Sequence, residues 1–357
     1  MLENELTTYY LLFSKLWYNP ISNLNSEREC NLMKKYYGID WIRAVACIGI
    51  MMMHVLANNT YEISGFVYNS LIPSFTDFVY LFMAVSAFGM CHGYFNKVMS
   101  GEVNWTTFYK KRYSKTLPFF LLLIVIDLVL NWSINSLCEA ITEVTMLHGL
   151  VPYSFSVVGV GWFLGTVFVF YLVFPFFCVL IESKFRAWCA FAVSIALNYI
   201  CSVYFGVSRI NFIYSLCFFL GGGLVFLYKE TLEKIKWYFY LPVITLSGAL
   251  YFFIGANTLT RLLVTMALLS FTISINCRKV RVISLISNIS MEFYLSHMFV
   301  FRVIEKLHLN TLCGNGWLQF LVTVFLVFVG TMAFSLCFQT LINKTQAILN
   351  RKGNKPL

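Results

Sequence analysis

Trp162-Phe163-Leu164-Gly165-Thr166-Val167-Phe168-Val169-Phe170-Tyr171-Leu172-Val173-Phe174-Pro175-Phe176-Phe177-Cys178-Val179-Leu180-Ile181 runs for 20 residues without a charged side chain. A helix of about 20 apolar residues, rising 1.5 Å per residue, covers the roughly 30 Å hydrocarbon layer of a bilayer. The run is continuous rather than alternating, so it does not fit the dyad pattern of a barrel strand. Working outward, comparable runs recur at 39–57, 75–95, 116–134, 188–204, 211–228, 237–254, 259–275, 289–301 and 317–342. The chain is 357 residues, 59% apolar and 12% charged, against about 25% charged in a soluble domain. The expected fold is all-α, a polytopic integral membrane protein of about ten transmembrane helices.

The net charge of +10 would raise nucleic-acid binding in a soluble protein, but here its placement reports topology. If ten helices alternate, 21 of the 26 Lys and Arg residues fall on one side. They lie in the N-terminal arm, the even-numbered connections and the tail. The other side holds Arg209, Arg261, Arg302 and Lys306, and Arg43 lies inside the first helix. The positive-inside rule then predicts two cytoplasmic termini. The expected organisation is a cytoplasmic arm at 1–38, a membrane domain at 39–342 and a basic cytoplasmic tail at 343–357. The arm carries Glu3 and Glu5 ahead of an apolar patch at 9–13. It lacks the basic n-region of a secretory signal and reads either as an interfacial segment or as disorder.

Eleven cysteines contain no C-x-x-C pair, and most sit in apolar runs as small hydrophobes. Cys138 and Cys313 alone fall in predicted external connections, which makes them the one candidate disulfide. No metal-ligand cluster is visible. Gly221-Gly222-Gly223 and the pairs Gly89/Gly93 and Gly161/Gly165 read as close helix contacts.

Ionisable groups inside spans are costly, about 2.5–3.5 kcal/mol on insertion scales, and mark candidate sites. The first helix holds Asp40, Arg43 and His54. Arg43 and His54, 11 residues apart, share a face and stand about 16 Å apart along the axis. Asp40 is placed to pair with Arg43. A guanidinium fork suits phosphates and an imidazole suits general-base work. The bland alternative leaves Arg43 as a topological marker and His54 bonded to a neighbouring helix. His297, with Glu292 and Tyr294 nearby, is a second candidate, again with core packing as the alternative. His92 and His148 read as structural. Asp77 is expected at the outer interface, and Asp127 is expected to pair with Asn131. The cluster Lys110-Lys111-Arg112-Tyr113-Ser114-Lys115 is topogenic by default and could attract an anionic cytosolic cosubstrate.

Taken in order, these segments resemble the membrane-bound acyltransferase-3 family. The residues that carry the resemblance are Asp40, Arg43 and His54 with ten residues between the last two; Phe82 through Ser86, with Ala87 where glycine is usual; Arg112 and Lys115 in a basic stretch ending at Pro118; Trp162 through Pro175; and Ser290, Tyr294 and His297. The match runs from about Gly38 to the tenth helix. A glutamate found in some members after the tryptophan is replaced by Val167 and Phe168, so no carboxylate role is expected there. The chain ends soon after the tenth run, so the extracytoplasmic esterase-like domain of some members is not expected.

The resemblance implies an O-acyltransferase. Its donor would be acyl-CoA, with acetyl-CoA expected, and its acceptor a hydroxyl on an extracytoplasmic or lipid-linked glycan. It assigns catalysis to His54 and Arg43 and coenzyme A binding to Arg43, Arg112 and Lys115. Supporting roles go to Asp40, Trp162, Tyr294 and His297. It calls for no metal and no nucleic acid, and places the protein in a bacterial cytoplasmic membrane. The competing class is a transporter or flippase of lipid-linked sugars, although the sequence shows no paired broken helices. A glycan polymerase would need larger external loops than the stretch 135–161, whose Tyr153, Ser154, Phe155 and Ser156 could line an acceptor cleft.

Overall fold

The computed structural model describes residues 34–59, 61, 63–151, 153 and 157–353, with side chains to residue 344. The arm's apolar patch and Ser154, Phe155 and Ser156 lie outside the described residues.

All regular structure among the described residues is helical. The helices are α1 (Tyr37–Ala57), α2 (Phe78–Met99), α3 (Trp105–Leu130), α4 (Ile134–Val144), α5 (Trp162–Leu180), α6 (Lys184–Val203), α7 (Phe212–Leu227), α8 (Lys229–Lys234), α9 (Tyr240–Ile254), α10 (Thr258–Ser274), α11 (Arg281–Asn288), α12 (Ser290–Lys306) and α13 (Gly316–Gly353). Ten of them correspond to the ten apolar runs. Seven stretches are long and apolar enough to cross a membrane, including Val67–Met99, a π-turn lead-in continuous with α2. The protein is therefore an all-α polytopic membrane protein.

The remaining three helices are shorter for a physical reason. Helix α7 has 16 residues, or about 24 Å, yet it is buried along nearly all of its length against α2 and α6. A helix surrounded by protein does not have to match the lipid thickness. Helix α12, with 17 residues, buries Glu292 and His297 in the same way.

Side-chain caps set the boundaries that hydropathy leaves loose. Asn104, Ser133, Ser183 and Asn211 each accept a backbone N–H at the start of α3, α4, α6 and α7. Asn257 and Thr260 form a capping box on α10. The basic ends gather at one side, where Lys34 and Tyr36 donate to Glu233 of α8. There His92 Nε2 also meets the Lys34 carbonyl at 2.8 Å. At the far side, Arg302 Nη2 donates to Asn58 Oδ1 at 3.0 Å.

Several local readings change. Gly89 and Gly93 do not form a close contact: a Cβ at Gly89 would meet only Arg43 Nη2, at 3.6 Å, and one at Gly93 would meet nothing. Gly161 is a close helix contact, since a Cβ there would stand 2.9 Å from the Phe120 ring of α3, whereas Gly165 makes room for the α4–α5 connection, where a Cβ would stand 2.4 Å from the His148 ring. Cys138 and Cys313 are both free thiols. Asn131 donates to Asp127 at 2.9 Å, the local pair expected.

Candidate active site

Arg43 and His54 project from one face of α1, as 3.6 residues per turn requires. Arg43 is half-buried and points into the lane left open by Gly89 of α2. The expected Asp40–Arg43 pair does not form. Asp40 turns instead to α11, where it accepts from Ser287 Oγ at 2.8 Å and Ser284 Oγ at 3.2 Å. Two hydroxyls one turn apart fit the two oxygens of one carboxylate, so Asp40 fastens α1 to α11. Arg43 makes no ion pair among the described residues.

Arg112 comes to the same region from α3. Its guanidinium lies 3.5 Å above the Phe108 ring, 4.7 Å from Tyr94 and 5.3 Å from Tyr171. One nitrogen donates to the Phe108 carbonyl at 2.8 Å, Nη2 lies 2.9 Å from Met90 Sδ, and the buried Nε has no partner. Tyr171 lies within Coulombic range of both Arg43 and Arg112. Two guanidinium groups thus lie in the neighbourhood of one tyrosine and neither makes an ion pair among the described residues, a donor set suited to phosphate oxygens. Lys115 is exposed and joins none of these contacts.

The second group forms deeper, where α1 and α12 run side by side in register. Cys47 Sγ donates to the Ser290 carbonyl at 3.5 Å. Seven residues on from each of these positions stand His54 and His297, and their ring centroids are 5.1 Å apart. His297 is 1% exposed, and its Nδ1 lies 2.6 Å from the Tyr294 carbonyl. A carbonyl only accepts, so Nδ1 carries the proton and Nε2 presents a lone pair. That Nε2 is buried without a partner, on a ring that faces His54. Tyr294 closes one side of the pair, at 5.3 Å from Phe163 and 6.5 Å from Phe82.

One participant was not apparent from sequence. Arg209, in the α6–α7 connection, lies 5.2 Å above the Trp162 ring and donates to Thr76 Oγ1 at 3.0 Å. It is within Coulombic range of His54 and Tyr294. Its only signal in the sequence was being one of the few cations on the basic-poor side. Asp77, by contrast, is ion-paired: its Oδ2 accepts from Arg261 at 2.9 Å and Tyr251 at 2.7 Å, while its buried Oδ1 has no partner among the described residues.

The site thus has two cations toward the basic end, a paired imidazole in the interior and Arg209 beyond it. A family model described as an acyltransferase domain, that of the acyltransferase-3 family, matches residues 36–339. The chain belongs to the acyltransferase-3 family. No curated protein and no solved structure matches this acyltransferase. The matched span holds every residue described above as part of the site, from Asp40 to His297. The acyltransferase assignment also fits the imidazole pair, which can supply a proton acceptor.

Proposed function

We propose that this membrane acyltransferase moves an acetyl group from cytosolic acetyl-CoA to a hydroxyl of an extracytoplasmic or lipid-linked glycan, in a bacterial cytoplasmic membrane with both termini inside. The observation that carries this reading is the arrangement along α1. Arg43 converges with Arg112 toward the basic end, and His54 meets His297 about 16 Å further in. Arg43 and Arg112 would hold coenzyme A phosphates, while the pantetheine arm extends toward His54. Lys115 is assigned to attraction of the donor rather than to contact, because it is exposed.

The acceptor oxygen forms its bond to the thioester carbonyl carbon as His54 takes the hydroxyl proton. The C–S bond then breaks, and the coenzyme A thiolate leaves with the proton returned by His54. His297, fixed in one tautomer by Tyr294, would accept an N–H from His54 and leave the other His54 nitrogen as the base. This resembles the role of a third group that orients a catalytic histidine.

The test is transfer of labelled acetyl from acetyl-CoA to base-labile glycan ester in membranes holding the wild-type chain or His54→Ala at matched expression. General-base catalysis is worth about 10²–10⁴-fold, so the variant should fall to background. Label that persists without His54 would sink the assignment. A chain that neither labels glycan nor binds acetyl-CoA would favour the flippase alternative.

A further inference from the structure

The three arginines of the basic-poor end differ in how their charge is met. Arg261 pairs with Asp77 at 2.9 Å, and Arg302 pairs with Glu305 at 2.7 Å. Arg209 has no ion pair among the described residues. It is nonetheless held in place, half-buried, with its guanidinium over the Trp162 ring at 5.2 Å and one nitrogen bonded to Thr76 at 3.0 Å. Its own carbonyl accepts from Ser215 Oγ of α7 at 3.2 Å, which anchors the connection that carries it. A guanidinium has five N–H donors in a rigid fork, and Thr76 takes one of them. Fixing the plane of an arginine while leaving the rest of the fork open prepares it for a bidentate anion.

The position gives that anion a role. Trp162 adjoins Phe163 in sequence, Phe163 packs 5.3 Å from Tyr294, and Tyr294 lies 5.9 Å from His297, which faces His54. Arg209 therefore stands at the opposite end of the site from the Arg43–Arg112 group. A bound acceptor would reach the imidazoles past it.

We infer that Arg209 is an acceptor subsite for an anionic group, a carboxylate or phosphate carried on the glycan beside the hydroxyl to be acylated. Its role as an acceptor subsite rests on the acyl-transfer reading; its affinity for an anionic sugar does not.

The experiment uses the full chain in lipid nanodiscs and three probes: octyl glucoside, octyl glucuronide, and octyl glucoside bearing a 6-phosphate. Dissociation constants are measured for each, with the acetyl-CoA dissociation constant as the check on folding. The wild type should bind at least one anionic probe ten-fold or more tightly than octyl glucoside, and which one it prefers separates a carboxylate from a phosphate source. In Arg209→Gln that preference should fall below two-fold. In Arg209→Lys, which keeps the charge and loses the fork, about a third of it should survive on a logarithmic scale, with acetyl-CoA affinity unchanged in both. Equal binding of all three probes by the wild type overturns the inference, as does a preference that survives both variants. If Arg209→Gln fails to bind acetyl-CoA, the Arg209→Lys comparison decides. Acetyl transfer to the bound probe is scored separately. A preference that depends on Arg209 without transfer would keep the anion site and fail the acyltransferase mechanism.

Discussion

Replacing the middle glycine of Gly221-Gly222-Gly223 tests how this bundle is held together. A Cβ at Gly222 would lie 2.1 Å from the Ala84 carbonyl oxygen and 2.8 Å from its carbon, on the backbone of α2. Ordinary contact needs more than 3 Å, so α2 and α7 would have to separate by about 1 Å along a crossing where neither backbone can swing aside. Overpacking typically costs about 1–3 kcal/mol, and a clash with main chain belongs at the upper end. The loss exceeds the roughly 1 kcal/mol that Ala gains over Gly in a helix. Gly221→Ala is the control, because its Cβ would meet Met266 Cγ at an ordinary 3.5 Å. Gly223→Ala is intermediate, at 2.9 Å from the tip of the Phe177 ring. Detergent-solubilised variants would be heated and the surviving monodisperse fraction measured by size exclusion. Gly222→Ala should lose roughly 2–4 °C against the wild type, and Gly221→Ala should lose none. If Gly221→Ala and Gly222→Ala melt together, the close α2–α7 approach is wrong.

Arg43→Lys keeps the cation but loses the fork, so the acetyl-CoA KM should rise about ten-fold with little change in kcat; steady-state kinetics with varied donor would show an unchanged KM if Arg43 is only topological. At His297, Gln can still accept an N–H from His54 whereas Ala cannot, so Gln should retain part of the kcat that Ala loses, and equal losses would reduce His297 to packing. Glu143, 1% exposed in α4, has a carboxyl raised by burial from 4.5 to about 8. A raised carboxyl favours the folded state least once the unfolded chain has ionised, so this contribution is neutral below pH 4.5. It worsens by about 1.4 kcal/mol per pH unit up to about 8 and is flat above. Thermal stability should therefore fall from pH 5 to 8 in the wild type and less so in Glu143→Gln, and parallel curves would refute the burial of an ionisable group there.

The ten runs were legible because hydrocarbon length and helix rise dictate them, and the shared face of Arg43 and His54 follows from helical periodicity alone. Periodicity does not say which helix a face meets. The Asp40 partners lie 244 and 247 residues away on α11, and His297 reaches His54 from α12, so neither contact has a local signal. The short α7 defied the span length because burial in protein removed the lipid constraint. Arg209 was legible only as a charge on the wrong side; the Trp162 ring and Thr76 that orient it come from distant segments.

The matched advance of α1 and α12 makes their contact behave like a vernier. Sliding α12 by a single residue against α1 would carry His297 about 1.5 Å along and about 100° around its axis, out of line with His54. A displacement no longer than a carbon–carbon bond would disengage the two rings. The fastenings nearer the basic end, Asp40 to α11 and Cys47 to Ser290, act as the index pins of that scale. What touches them, though about 10 Å or more from the reacting atoms, sets whether proton transfer is geared or idle.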